Sequence, residues 1–112
     1  MNIRSFLLLT LITLTGCMEP PLPVETVEDP GTYVFNYDNE YVLDITSLFG
    51  SNVTVTGGIV HIQMSGTNNI LTVNSGTEIA ECTLGGMYNT IYNNTGTPIT
   101  CTGDGVNGNV VY

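Results

Sequence analysis

Positive charge is almost missing from this chain of 112 residues, which has ten acidic residues, a single Arg, no Lys and one His. The Arg is Arg4, so everything after it lacks a permanent cation. Such a chain cannot displace counterions from phosphates, which excludes nucleic-acid binding. It also lacks the basic clusters with which proteins bind anionic lipids.

Long apolar runs are missing as well. The uncharged apolar run at residues 6–15 has about ten residues, whereas a membrane-spanning helix needs roughly 20. A short apolar run that follows a charged start and precedes small residues is typical of a secretory signal peptide. We therefore expect residues 1–16 to be a signal peptide that is removed from the mature chain.

The scarcity of histidine and of cations also limits catalysis. His61 is the one histidine, and a single histidine in the sequence is not enough to argue for a Ser-His-Asp catalytic arrangement. Glu78 and Glu81 are an odd number of residues apart and are expected on opposite faces of a strand, where they cannot flank one glycosidic bond. The sequence predicts a non-enzymatic protein without a catalytic residue, metal or cofactor.

Three acidic residues are the remaining candidates for a metal-binding or catalytic site. Asp38, Glu40 and Asp44 are separated by even numbers of residues and can share a face of a strand, where they would bind Ca²⁺ or serve a hydrolase. The simpler expectation is that they are solvated. The segment DGVNGN at 104–109 has the composition of a calcium loop but lacks its alternating acids.

The segment Leu14-Thr15-Gly16-Cys17 identifies the type of signal. It resembles the lipobox of bacterial lipoproteins, and the resemblance implies that the Cys17 thiol receives a diacylglycerol and that Cys17 begins the mature chain. Residue 18 is Met and not Asp, which implies, for a Gram-negative host, a lipid-anchored protein of the outer membrane. The alternative is an ordinary secretory signal.

Two cysteines remain after Cys17, namely Cys82 and Cys101. In an exported protein such a pair is expected to form a disulfide. A zinc site with His61 is the alternative, but no short ligand spacing favours it.

The mature chain divides into a tether and one domain. Residues 17–31 contain the lipidated Cys and a segment rich in Pro and Glu, which is typical of an extended tether. Residues 32–112 are rich in Val, Ile, Thr and Tyr with Gly and Asn at intervals, and they predict a single all-β domain.

Repeats of about 20 residues begin near residue 47. The stretches 60–73, 80–92 and 100–112 are similar, and they place Asn69, Asn89 and Asn109 at intervals of 20 residues. Residues 47–55, with Asn52, form a shorter copy. This period predicts a short β-solenoid of the parallel β-helix type. The stretch 50–112 resembles Gly/Asn repeat domains of bacterial secreted proteins that form a family of unknown function. A small disulfide-linked β-sandwich is the alternative fold.

Aligning the repeats predicts which side chains point inward, because strand residues alternate between faces. The inward positions are apolar or small, and comprise Val60, Ile62, Met64, Leu71, Val73, Ala80, Cys82, Leu84, Ile91, Ile99, Cys101, Gly103 and Val111. The outward positions are His61, Gln63, Glu81, Thr83, Thr100 and Thr102. Cys82 and Cys101 fall on neighbouring coils about 4.8 Å apart, within disulfide range.

These features predict a non-catalytic, lipid-anchored envelope protein that serves as a structural or interaction module. The alternative is a carbohydrate- or calcium-dependent binding protein that uses Tyr33, Phe35, Tyr37 or Tyr88. The expected partners are the membrane, through the anchor, and a second copy or another protein at an uncovered strand edge formed by residues 109–112.

Overall fold

The computed structural model describes residues 20–112, so the predicted signal peptide and Cys17 lie outside the described residues. Residues 20–112 form nine β-strands and no helix. The strands are β1 Val24–Val27, β2 Gly31–Asn36, β3 Glu40–Ile45, β4 Ser51–Thr56, β5 Ile59–Met64, β6 Ile70–Val73, β7 Glu78–Leu84, β8 Thr90–Asn93 and β9 Val110–Val111. Within this part of the chain there is accordingly no helix of the length and apolarity needed to span a membrane.

The strands wind into a coil of two parallel sheets that enclose one core. The four-stranded sheet has the order β1-β3-β5-β7, and the five-stranded sheet has the order β2-β4-β6-β8-β9. All pairings are parallel, and paired residues such as Gly31 and Ser51, or Ile70 and Thr90, lie 20 positions apart. This is a β-solenoid of about five coils, as the sequence predicts, and not a β-sandwich.

The solenoid begins earlier than the sequence predicts. β1 pairs with β3 through Val24 and Val42, and β2 pairs with β4. The first coil therefore includes residues 24–36, which the sequence divides between a tether and an unpatterned region. The prediction failed because this coil contains neither a ladder Asn nor a Gly-Asn corner, although its strands have the ordinary alternation.

The core consists of the inward side chains of both sheets, and most of the predicted inward positions are confirmed. Val60, Ile62, Met64, Leu71, Val73, Cys82, Leu84, Ile91 and Cys101 are buried, and Ile99 and Val111 pack against them. Two predicted inward positions differ, because Ala80 is exposed and Gly103 lies half-buried in a turn. A β-bulge between β5 and β7 pairs Val60 with Ile79 and His61 with Glu81, which leaves Ala80 without a counterpart. Ile79 takes the inward place.

A ladder of buried asparagine side chains joins the coils at one corner. Asn69 and Asn89 are fully buried and Asn109 nearly so. The side-chain oxygen of Asn89 accepts the backbone N–H of Asn69 at 3.0 Å, and that of Asn109 accepts the N–H of Asn89 at 2.9 Å. The amide group of Asn89 donates to the carbonyl oxygens of Gly66 and Gly85, both at 2.9 Å. Each ladder residue thus satisfies buried backbone groups of its neighbours.

The ladder ends at Ser51 and not at Asn52. Ser51 donates its hydroxyl to the side-chain oxygen of Asn69 at 2.7 Å, and Asn69 donates to the carbonyl of Ser47 at 2.9 Å. Asn52 is exposed because it pairs in register with Ile70, one position beyond the ladder. The shorter copy is present, but its ladder position was misplaced by one residue.

The residue that precedes each ladder position has a left-handed backbone conformation. Gly50, Asn68, Tyr88 and Gly108 have φ values of 90°, 61°, 57° and 78°. Glycine and asparagine adopt this conformation readily, whereas a Tyr there is an outlier. The Tyr88 ring lies over Gly108, where an added Cβ would collide with it.

Aromatic side chains fill the first coils. Tyr33, Phe35 and Tyr37 alternate on the inner face of β2 and its end, where they stack and pack against the core. Tyr37 donates its hydroxyl to Glu25 and meets the edge of the buried Tyr41 ring. The Tyr41 hydroxyl has no hydrogen-bond partner among the described residues, and burial, with a smaller contribution from Glu25, raises its pKa to about 12.

The predicted disulfide is present. Cys82 of β7 and Cys101 are bonded, with their Cα atoms 4.7 Å apart. Beside it, the N–H of Leu84 donates to the carbonyl of Thr102 at 2.7 Å, and Thr102 donates to Cys82 at 3.1 Å. The bond therefore fixes the last coil onto the four-stranded sheet at the one place where they pair.

We expect the double substitution Cys82→Ala with Cys101→Ala to lower the free energy of unfolding by about 3 kcal/mol, because the bond closes a loop of about 20 residues in the unfolded chain. Urea denaturation of the exported protein measures the loss. Reduction of the wild type should give a similar loss and serves as the control for side-chain changes. An unchanged urea midpoint after both treatments would contradict the prediction.

We expect Asn89→Ala to lower the free energy of unfolding by about 3 kcal/mol, because it leaves the buried Asn69 N–H and the Gly85 carbonyl without a partner and removes one of the two hydrogen bonds to the Gly66 carbonyl. Asn94→Ala is the matched control, since Asn94 is exposed, and should change stability by no more than about 0.5 kcal/mol. An equal loss of unfolding free energy in the two variants would show that a ladder Asn contributes no more to stability than an exposed Asn.

Candidate functional site

His61 lies at the centre of a cluster on the outer face of the four-stranded sheet. Its Nε2 is 2.6 Å from Glu40 of β3, and its Nδ1 is 3.3 Å from Glu81 of β7. The three residues come from neighbouring strands, and His61 belongs to the middle one. The outward direction predicted for His61 and Glu81 is therefore confirmed, whereas their contact was not foreseen.

The cluster favours the charged form of the imidazole. The hydrogen bond with Glu40 is the largest contribution that raises the pKa of His61 above its ordinary value; partial burial opposes it, and Glu81 adds to it. A neutral imidazole has only one N–H, so it cannot donate to both carboxylates. Both contacts are satisfied only by the imidazolium. With both ring nitrogens engaged, His61 serves as a bridge between coils.

The predicted acidic face is only partly assembled. Glu40 and Asp44 alternate with buried residues on β3 and share its outer face, as their even spacing predicts. Asp38 lies in the bend before β3 and is exposed. In residues 20–112 no group of three His, Cys, Asp or Glu side chains is placed to hold a metal ion.

Glu78 and Glu81 share a face, contrary to the sequence prediction. Glu78 pairs with Ile59 and Glu81 with His61, and these two β5 residues point to the same side of the sheet. The bulge at Ala80 adds one residue between them and so converts an odd spacing into an even one. Two carboxylates therefore line the outer face of β7.

The aromatic residues of the alternative binding function do not lie together. Tyr33, Phe35 and Tyr37 point inward and belong to the core of the first coils. Tyr88 is exposed at a corner of the fourth coil, with 60% of its surface accessible. A carbohydrate platform built from these residues is thus not assembled.

A groove opens where the last coil separates from β7. It has a volume of about 470 Å³ and lies between residues 77–79, at the start of β7, and residues 95–99. We call this space the β7 groove. Half-buried Ile79 and Ile99 pack against the core beneath it, and Glu78 and Thr97 contribute polar groups. Pro98 lacks an N–H and cannot donate to a ladder, which accounts for the separation.

The strand edge predicted at residues 109–112 is mostly covered by the chain itself. The N–H of Val111 donates to a carboxylate oxygen of Asp104 at 3.3 Å, and the carbonyl of Asn109 accepts the N–H of Gly105 at 2.8 Å. On the outer face, the Tyr112 ring stacks on Tyr92 with 5.4 Å between ring centres. The loop at 103–108 thus occupies the side of β9 that would otherwise accept another strand.

Comparison with known proteins adds no further constraint. No family model matches the sequence, and no curated protein or solved structure shows significant similarity to it.

We expect the His61 cluster to make stability depend on pH in the range above about 6.5, the ordinary pKa of histidine. Because the folded pKa of His61 is raised, the stabilisation is complete below its unfolded pKa of about 6.5 and is lost as pH rises through the folded value. For partly exposed pairs this amounts to about 0.3 to 1 kcal/mol, or roughly 2 to 6 °C in Tm.

Thermal unfolding of wild type and of His61→Gln across this range measures the effect, which should disappear in the variant. Glu28→Gln is the matched control, because Glu28 is exposed and lies outside the cluster, and it should retain the wild-type pH dependence. A pH dependence that persists in His61→Gln would exclude His61 as its origin.

Proposed function

We propose that this chain is a lipid-anchored protein of the bacterial cell envelope that acts as a rigid, non-catalytic interaction module. The observation that carries the proposal is that Cys17, in a segment that resembles a lipobox, lies just before the solenoid. Only the six residues 18–23 separate Cys17 from β1. Fully extended, they reach about 20 Å, so the domain stays close to the bilayer.

The build of the solenoid supports a structural or interaction role. Its interior is filled with apolar side chains and buried ladder amides, and the disulfide fixes its last coil. Such an object presents fixed surfaces to a partner at little cost in entropy, because few groups have to be ordered on binding.

The chemistry of the surface supports binding rather than catalysis. His61 holds two carboxylates in a bridge between coils, and the other acids of β3 and β7 lie along one outer face. The described part of the chain has acids and no Lys or Arg, so the face attracts cationic partners and repels anionic ones.

The anchor is tested with Cys17→Ser. We expect wild type to incorporate a palmitate label and to fractionate with membranes, and we expect the variant to lose the label and retain an uncleaved signal. Lipidation requires the thiol, which Ser does not supply. Cys101→Ser is the control, since it removes a cysteine outside the lipobox and should keep both label and processing. Labelled, processed Cys17→Ser protein would overturn the proposal.

A further inference from the structure

The two sheets end differently at the fifth coil. In the five-stranded sheet β9 covers β8, and the loop at 103–108 covers much of the outer side of β9. In the four-stranded sheet β7 is the last strand, and within residues 20–112 its outer side is paired only through the bridge between Thr83 and Thr102. At this end of the solenoid, the first half of β7 is therefore a sheet edge without a covering strand.

The β7 groove lies along this uncovered half. Its volume of about 470 Å³ falls within the size range of ligand pockets, about 300 to 1,000 Å³. The disulfide and the Thr102 hydrogen bonds hold the far end of β7 to the last coil, so the groove has one fixed end. A segment entering it would meet a preformed strand edge and not a mobile loop.

The groove is apolar below and acidic at its rim. Ile79 and Ile99 provide the apolar floor, and Glu78 lies at the rim and is exposed. The bulge at Ala80 places Glu81 on the same outer face as Glu78. Glu81 is shared with His61, but the carboxylate of Glu78 has no cationic partner among the described residues.

We propose that the β7 groove binds an extended cationic segment of a partner protein, which pairs with the first half of β7 as an added strand. Addition of a strand at an exposed edge provides backbone hydrogen bonds, and side-chain pockets provide specificity. Alternate apolar side chains of the segment contact Ile79 and Ile99, and a Lys or Arg between them faces Glu78 and Glu81. This inference rests on the proposed function as an interaction module and names its site and partner chemistry.

A second copy of this chain fits the groove poorly. Residues 5–112 carry ten acids and no Lys or Arg, so an incoming copy would add negative charge to an acidic rim. Like charges brought together at an interface cost several kcal/mol. The charge balance therefore selects a partner of opposite sign.

The test uses the full chain in dodecyl maltoside, labelled with ¹⁵N, and the probe acetyl-Lys-Val-Lys-Val-Lys-amide. We expect the amide resonances of residues 78–81, 95–97 and 99 to shift and the affinity to fall with added salt. Glu78→Lys should weaken binding about tenfold, since it replaces an attraction by a repulsion. Glu28→Lys is the matched control, because it makes the same charge change at an exposed site outside the groove.

A second probe tests strand pairing. The same peptide with an N-methyl group on the backbone nitrogen of the central Lys lacks that N–H but keeps all three charges, and it should bind more weakly than the first probe. Equal binding of the two probes, equal losses in Glu78→Lys and Glu28→Lys, or shifts spread over all the acids would overturn the proposal. So would self-association through residues 78–81 that the probe cannot compete with, which would assign the groove to a second copy.

The outcome is separable from that of the anchor test. Loss of groove binding together with normal labelling of Cys17 removes this inference and leaves the anchor. Groove binding in a chain that is not acylated supports the site and removes the anchor. The thermal unfolding curve of Glu78→Lys, which should match that of Glu28→Lys, confirms that the comparison is made between folded proteins.

Discussion

The asparagine ladder is the interaction on which the rest of the structure depends. At the corner between the two sheets the backbone turns inside the protein, where its N–H and C=O groups cannot reach water and must be paired. Asn89 and Asn109 solve this because the side-chain oxygen of each accepts the N–H of the preceding ladder residue, and the side-chain amide group of each donates to a glycine carbonyl. An amide side chain is suited to the position because it has both a donor and an acceptor. The ladder requires the same corner at every coil, which is why the period is close to 20 residues and why the preceding residue is left-handed. It also requires close backbone approach, so Gly86 lies where a Cβ would collide with the Gly66 carbonyl.

Where this regularity ends, the molecule presents groups that can bind. Towards the first coil the ladder stops at Ser51, aromatic rings pack against the core, and half-buried Glu25 accepts the hydroxyl of Tyr37. Towards the last coil the five-stranded sheet continues to β9, whereas the four-stranded sheet stops at β7 because Pro98 interrupts the strand that would follow. The β7 groove is thus a product of one sheet ending before the other.

Charge imposes a second constraint on the protein. The described residues hold acids without Lys or Arg, so the imidazolium of His61 is the one side-chain cation that the fold can use within residues 20–112. It is placed between β3 and β7, where it relieves the repulsion of Glu40 and Glu81 across neighbouring coils. Most of the remaining described carboxylates are exposed, which favours solubility and gives the protein an acidic surface.

The sequence by itself determined the all-β class, the coil period, the Cys82–Cys101 bond and most of the inward positions, because these follow from the alternation of side chains and from the interval between asparagines. Only the tertiary structure decided the rest. The first coil at β1 and β2 lacks the repeat signature, so its membership rests on pairing with β3 and β4. Ser51 takes the ladder position predicted for Asn52, because the pairing of β4 with β6 places Asn52 opposite Ile70 and leaves Ser51 beside Asn69. The bulge at Ala80 moved Glu78 to the face of Glu81, and a single inserted residue of this kind leaves no mark in an alternating pattern. His61 contacts one carboxylate about 20 positions before it and another about 20 positions after it in the sequence. These contacts form only when three coils are stacked.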